Sequence, residues 1–246
     1  MPGTWTRLMI GAHPAEEFLP ETADRPAFAL IFLHPVGEET LMGNAVYTHV
    51  LDQLRLPCVC PYGGPSWWAD RVCPPYHPTQ SAEHYVLNDV LPYVQARWDL
   101  GPGRVGLFGI SMGGQGALRL GFKHPQTFPV VAGVASAIEY HQGLYSGLAL
   151  DQMYDSKEQC RQDTVPMHVH PHHQPPHIYF CCDPADALWY RGNDRLHEKL
   201  AALGVAHTCD LATQAGGHSW AYFDAMAEPT VRFLHQGLQQ QARRLL

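Results

Sequence analysis

A chain of 246 residues, 46% hydrophobic and 16% charged, has too much apolar surface to be disordered, and its length fits one α/β domain over residues 1–246. Its formal charge of −7 offers a phosphate backbone nothing to bind, so nucleic acid is not an expected partner. No run approaches the roughly 20 apolar residues of a bilayer span, and Met1–Ile10, with one basic residue and no long apolar stretch, does not read as a secretory signal.

Seven cysteines without framework spacing, Cys181 and Cys182 among them adjacent, read as reduced thiols in a cytoplasmic protein. No repeat or linker divides the chain. Short apolar runs alternate with longer segments, the pattern of βαβ units: a mostly parallel central sheet flanked by helices on both faces. Trp5–Ile10 is expected at an antiparallel edge. Ala27–Leu33 is continuously apolar, as a strand buried on both faces should be, and it stops at His34-Pro35-Val36-Gly37. Asn44–Leu54 reads as a helix and Cys58–Cys60 as the next strand. A loop rich in Gly, Pro and Trp runs from Pro61 to Pro78. Ser81 is a good N-cap for a helix whose apolar positions continue to Val94, and which Pro92 should kink or end. Arg104–Phe108 is a strand, Gly113–Phe122 the helix after it, and Val130–Ala135 another strand. Residues 139–169 carry enough apolar surface for either a small lid or a packed helix. His177–Cys181 is a further strand, Asp194–Leu203 an amphipathic helix, Ala206–Leu211 the last strand, and Tyr222–Gln240 the closing helix.

The sharpest signal is Gly109-Ile110-Ser111-Met112-Gly113, a G-x-S-x-G pentapeptide between a buried-type strand and a helix. A serine presented on a tight strand-to-helix turn clears the sheet, provided that the flanking positions lack side-chain bulk. Ser111 is therefore the candidate nucleophile. A hydroxyl needs a base, and in this topology the order is nucleophile, acid, histidine. Of the sixteen histidines, His218 in Gly216-Gly217-His218-Ser219-Trp220 lies after the last strand, whereas His207 and His235 read as surface or packing residues. The acid should leave the end of His177–Cys181, where Asp183 and Asp186 compete and spacing alone does not separate them. For the oxyanion, one N–H belongs to Met112 and the second to the loop after Leu33. Pro35 has no N–H there, which leaves Val36, with Gly37 as the alternative.

With those residues in place, the chain resembles the esterase D-like branch of the α/β-hydrolases, which includes S-formylglutathione hydrolases, tributyrin-type esterases and feruloyl esterase-like proteins. The resemblance runs from about Phe28 to Phe223. It rests on Leu33-His34-Pro35-Val36-Gly37, Ser81-Ala82-Glu83-His84-Tyr85 through Leu91-Pro92, Gly109-Ile110-Ser111-Met112-Gly113-Gly114, and Gly217-His218-Ser219-Trp220. It implies hydrolysis of a small acyl ester or thioester through an acyl-enzyme, without metal or organic cofactor. The family's Cys-Gly-x-x-Asp loop, laid on Cys182-Asp183-Pro184-Ala185-Asp186, favours Asp186 as the acid. Asp183 stands where the family often has glycine, and Pro35 where it has the glycine of a His-Gly pair.

Trp67 and Trp68, in the loop after Cys58–Cys60, are candidates for the substrate pocket or for packing that loop down. His168, His170, His172, His173 and His177 crowd one Pro-rich stretch; imidazoles are good zinc or nickel ligands, but without a helical His-x-x-x-His pair the tract reads as a polar loop. Two other readings of the chain are an acyltransferase or peptidase on the same triad, and a non-catalytic binding protein built on the same fold.

Overall fold

The computed structural model describes residues 3–21 and 25–244. The chain opens with an antiparallel hairpin, β1 (Thr4–Ile10) and β2 (His13–Leu19). The strand β3 (Ala29–Leu33) leads to α1 (Ala45–Gln53), whose first turn is capped by the Asn44 side chain accepting from the Tyr47 N–H at 3.0 Å. After β4 (Cys58–Pro61), Ser81 caps α2 (Ala82–Tyr85), which runs through Val86–Val90 into α3 (Leu91–Trp98). Pro92 does interrupt this helix. It brings no N–H to the ladder, and the turn before it widens so that the Leu91 N–H reaches the Val86 carbonyl, five residues back.

The second half alternates. β5 (Val105–Ile110) is followed by α4 (Met112–Lys123), then β6 (Val130–Val134), the short helices α5 (Leu150–Met153) and α6 (Lys157–Gln162), and β7 (His177–Cys181). The helix α7 (Tyr190–Ala202), the strand β8 (Thr208–Asp210), and α8 (Trp220–Ala225) and α9 (Ala227–Arg244) complete the fold. The closing helix is thus two helices, broken at Met226.

One eight-stranded sheet has the order β1-β2-β4-β3-β5-β6-β7-β8. β2 is antiparallel to both neighbours, and every pair from β4 to β8 is parallel. Alternate residues of β3 divide between two cores, because successive strand side chains point to opposite faces. Ala29, Ile31 and Leu33 meet Val86, Val90 and Val94, with Leu118 of α4 and Leu196 and Leu200 of α7. Leu30 and Phe32 meet Tyr47 and Leu51 of α1 and Leu234 and Leu238 of α9 on the other face. Helices therefore cover both sides, which is why the central strands are apolar without alternation.

The strand β2 is absent from the sequence-based reading, and its central pair explains why. Glu16 and Glu17 suggest a solvated segment, yet both are buried. Glu17 accepts from the Tyr93 hydroxyl at 2.8 Å and from two Arg97 nitrogens at 3.2 Å, so its burial is compensated.

Residues 139–169 pack down through α4. Arg119, almost wholly buried, pairs with Glu83 and Asp163, and its Nε donates to the Asp163 carbonyl at 2.9 Å. The Tyr154 hydroxyl donates to Asp163 Oδ2 at 2.6 Å. Tyr140, Leu150, Cys160 and Val165 enter the same core as α4.

Candidate active site

Ser111 is the single residue between β5 and α4, with φ 55° and ψ −113°. A side chain at positive φ costs on the order of 1–3 kcal/mol and persists only where its surroundings over-determine it. Here they do. The Ser111 N–H donates to the Val134 carbonyl at 2.9 Å, and its own carbonyl accepts from Ala137 at 3.0 Å and Gln115 at 3.1 Å. α4 must also start close against β3: a methyl group at Gly113 would overlap the Leu33 carbonyl oxygen. The turn is held at both ends, and Ser111 stands just past the C-terminal end of β5.

His218 meets it there. The Ser111 hydroxyl donates to His218 Nε2 across 3.0 Å, and His218 Nδ1 donates to Asp186 Oδ2 across 2.8 Å. The ring packs edge-on against Phe223, 5.2 Å between centroids. Ser111 is 6% exposed and the His218 side chain 23%, so the pair is sheltered but reachable. Gly217, at φ 69°, lets the histidine loop lie against the acid loop, where a Cβ would stand 3.1 Å from the Ala185 carbonyl.

The two aspartates have separate tasks. Asp186 is buried; its Oδ1 accepts from the Leu188 and Trp189 N–H groups at 2.9 and 3.0 Å, and the Cys182 thiol lies 3.6 Å from Oδ2. Burial pushes the Asp186 carboxyl up, but the hydrogen bond and charge of His218, with those two N–H groups, hold it below its usual value. Burial and the neighbouring Asp186 push the Cys182 thiol well up, so it stays a donor. Asp183 faces away from the imidazole. Its Oδ2 accepts from Ala215 at 2.7 Å and Gly217 at 2.8 Å, and its Oδ1 from Ala185 at 2.7 Å. Against burial, these main-chain donors lower its carboxyl. Asp183 therefore ties down the loop that carries His218.

The first turn of α4 presents N–H groups that no helical carbonyl takes up, Met112 among them, since the first helical bond is Gln115 to Ser111. Beside it runs the loop after β3. His34, buried, donates from Nδ1 to the Pro35 carbonyl at 2.7 Å and accepts at Nε2 from the Gly63 N–H at 2.9 Å. Burial lowers its pKa to about 4, which keeps the ring neutral, as accepting at Nε2 requires. Val36 sits in the turn closed by the Glu38 N–H on the Pro35 carbonyl at 3.0 Å, and is 46% exposed.

Trp67 and Trp68 are both buried, at φ 55° and 50°. The Trp68 indole donates to the His34 carbonyl at 3.1 Å, and the Trp67 ring stacks on Tyr140 at 5.3 Å. The Gln115 amide bonds to the Trp67 carbonyl. Both tryptophans back the site from within the protein. His34, Gln115 and Cys182 were not singled out by sequence reasoning; the adjacency of His34 to the Pro-Val-Gly turn was the one available signal. Within the histidine tract, His168 lies 3.3 Å from Asp163, and the main chains of His170 and His173 bridge one another across a turn.

The family model described as "Putative esterase" matches residues 36–233. No curated protein matches the chain in sequence. Among solved structures, the S-formylglutathione hydrolase of Agrobacterium tumefaciens is similar at TM-score 0.79 and 15% identity, covering 96% of each chain. A ferulic acid esterase is similar at 0.76 and 16%, covering 96% of this chain and 98% of that one. The S-formylglutathione hydrolase FrmB of Staphylococcus aureus is similar at 0.72 and 17%, again over 96% and 98%.

Proposed function

The chain belongs to this esterase family, with the α/β-hydrolase fold and serine ester hydrolysis that go with it, and on that premise we propose that Ser111, His218 and Asp186 cleave small carboxylic esters or thioesters through an acyl-enzyme. Ser111 Oγ attacks the acyl carbonyl as His218 Nε2 takes its proton. Asp186 keeps the other imidazole proton on Nδ1 and stabilises the imidazolium without accepting the proton itself. The Met112 and Val36 N–H groups hold the oxyanion. Collapse expels the alcohol or thiol, protonated by His218, and leaves the acyl group on Ser111. Water, deprotonated by the same imidazole, then attacks the acyl carbon and releases the acid.

One observation carries this reading: the unbroken relay from Ser111 Oγ through His218 to Asp186, at 3.0 and 2.8 Å. In this reading Trp68 acts from behind, fixing the His34 carbonyl and so the turn that presents Val36. The substrate class is supported by the presence of an S-formylglutathione hydrolase and a ferulic acid esterase among the structural neighbours. The reaction is placed in the cytosol, a reading supported by seven free cysteines, six of them buried. Among the described residues no helix is long and apolar enough to cross a membrane.

The test is hydrolysis of short p-nitrophenyl esters and acyl thioesters by the purified chain. Ser111→Ala should lose turnover and labelling by a fluorophosphonate probe. Full activity in that variant refutes the proposal.

A further inference from the structure

Away from the ester-cleaving site, three side chains that no sequence motif links meet between α7 and the edge strand β8. His197 comes from the middle of α7, His207 from the residue before β8, and Cys209 from within it. All three are half-buried, and their ligand atoms lie within 4.8 Å of one another. His197 Nδ1 is 2.8 Å from His207 Nε2 and 3.3 Å from Cys209 Sγ. Among the described residues this is the one convergence of three metal-ligating groups of the His, Cys, Asp and Glu types.

Two further features make it more than a chance contact. The His207 Nδ1–H donates to the Val205 carbonyl at 2.8 Å, which fixes the tautomer and leaves the Nε2 lone pair facing the cluster. Metal-binding histidines are oriented by such a bond from the opposite ring nitrogen. The same ring lies flat on Phe180, 5.7 Å between centroids and 11° between planes, so it cannot swing freely.

We propose that His197, His207 and Cys209 form a binding site for a zinc ion, clamping the three-residue edge strand to α7. Zinc takes imidazole nitrogen at about 2.0–2.1 Å and thiolate at about 2.3 Å in a tetrahedron. That requires roughly 3.3 Å between nitrogens and 3.5 Å between nitrogen and sulfur, so the two contacts of His197 Nδ1 open by about half an ångström or less. On binding, the Cys209 thiol gives its proton to solvent and the sulfur bonds to the ion. His197 moves its proton from Nδ1 to Nε2, so one proton is released for each ion bound. Water fills the fourth position. Two imidazoles and one thiolate suit zinc and cobalt(II) better than magnesium or calcium, which prefer oxygen.

The experiment uses the full chain freed of metal by a chelator and titrated with cobalt(II). A stoichiometric thiolate-to-cobalt charge-transfer band is expected, removed by added zinc and absent in Cys209→Ser. His207→Ala should weaken binding at least about tenfold, since even changes around a ligand act on that scale. In the unaltered chain, zinc should slow iodoacetamide alkylation of Cys209 at least about tenfold, read by peptide mass spectrometry, and this arm does not depend on any variant folding. Replacing His170, His172 and His173 together by Ala should leave the band intact. A band that survives Cys209→Ser, binding that vanishes with the 170–173 histidines, or alkylation of Cys209 indifferent to zinc overturns the proposal. Ester hydrolysis does not enter the readout, so the outcome is separate from that of the triad.

Discussion

Asp183 and Asp186 lie three residues apart, and the same chemical change at each should fail in a different way. In Asp186→Asn the amide oxygen keeps the Oδ1 bonds to the Leu188 and Trp189 N–H groups, so the loop survives. The NH2 group then faces His218 Nδ1 and donates to it, which moves the ring proton to Nε2. A protonated Nε2 cannot accept from Ser111, and the equivalent change in serine-protease triads costs about 10⁴ in kcat. In Asp183→Asn, an amide oxygen at Oδ2 retains the Ala215 and Gly217 bonds in weakened form, while NH2 opposes the Ala185 N–H. A buried donor left unpaired costs about 1–3 kcal/mol, and losing charge assistance on the other two bonds costs about 1 kcal/mol each. The sum is about 4 kcal/mol, a fall in Tm of roughly 8–16 °C for a chain of this size. Below that temperature a good part of the activity should remain. Steady-state kinetics on p-nitrophenyl acetate together with calorimetry of both variants checks this. An Asp186→Asn enzyme with near-normal kcat, or an Asp183→Asn enzyme of unchanged Tm and abolished kcat, refutes the division of roles.

Three other expectations follow from the same geometry. Gly113→Ala should destabilise the chain by about 3 kcal/mol or more and abolish turnover, because its methyl group would overlap the Leu33 carbonyl; urea unfolding and kcat check it. Ser111→Gly should be more stable than Ser111→Ala by about 1 kcal/mol, since glycine relieves the φ of 55° while both variants lose the nucleophile; equal Tm values would show that the turn stores no strain. Glu83 is raised by burial but lowered more by His124, Arg119 and Lys123, to about 2 from an ordinary 4.5. A depressed carboxyl stabilises the fold above the higher value, and that stability is lost as pH falls toward the lower one, here about 3 kcal/mol. Glu83→Gln should therefore be less stable at pH 7 but lose less between 4.5 and 2, so that the two unfolding curves converge in acid.

The parts of the fold that could be read in the sequence are those where local pattern and tertiary role agree. Ala29–Leu33 and Val130–Val134 are buried on both faces and therefore continuously apolar. The elbow is legible because a tight strand-to-helix crossing demands glycine wherever backbones touch. The strand β2 was hidden because its buried glutamates find partners elsewhere in the chain, Glu17 in Arg97 some 80 positions away and Glu16 in Arg7 and Tyr62. The two acid candidates could not be separated by spacing, since the choice depends on which carboxylate turns toward the imidazole and which toward the main chain. The histidine tract drew attention because its members are neighbours in sequence. The group that converges in space draws on a helix and a strand, and its spacing resembles no motif.

Two buried charges brace the elements that carry the reacting pair. Asp183 bonds the histidine loop through main-chain donors, and Arg119 bonds residues 139–169 to the helix that begins at the nucleophile. Neither touches the reacting atoms. For Arg119, removing a carboxylate partner from the buried pair costs about 3–5 kcal/mol, whereas Asp183 is held by main-chain donors that no side-chain change removes. Such anchors are all-or-none, unlike apolar packing, which yields gradually as volume changes. The arrangement thus holds the geometry of proton transfer from behind, through contacts that lie away from Ser111 Oγ and His218 Nε2.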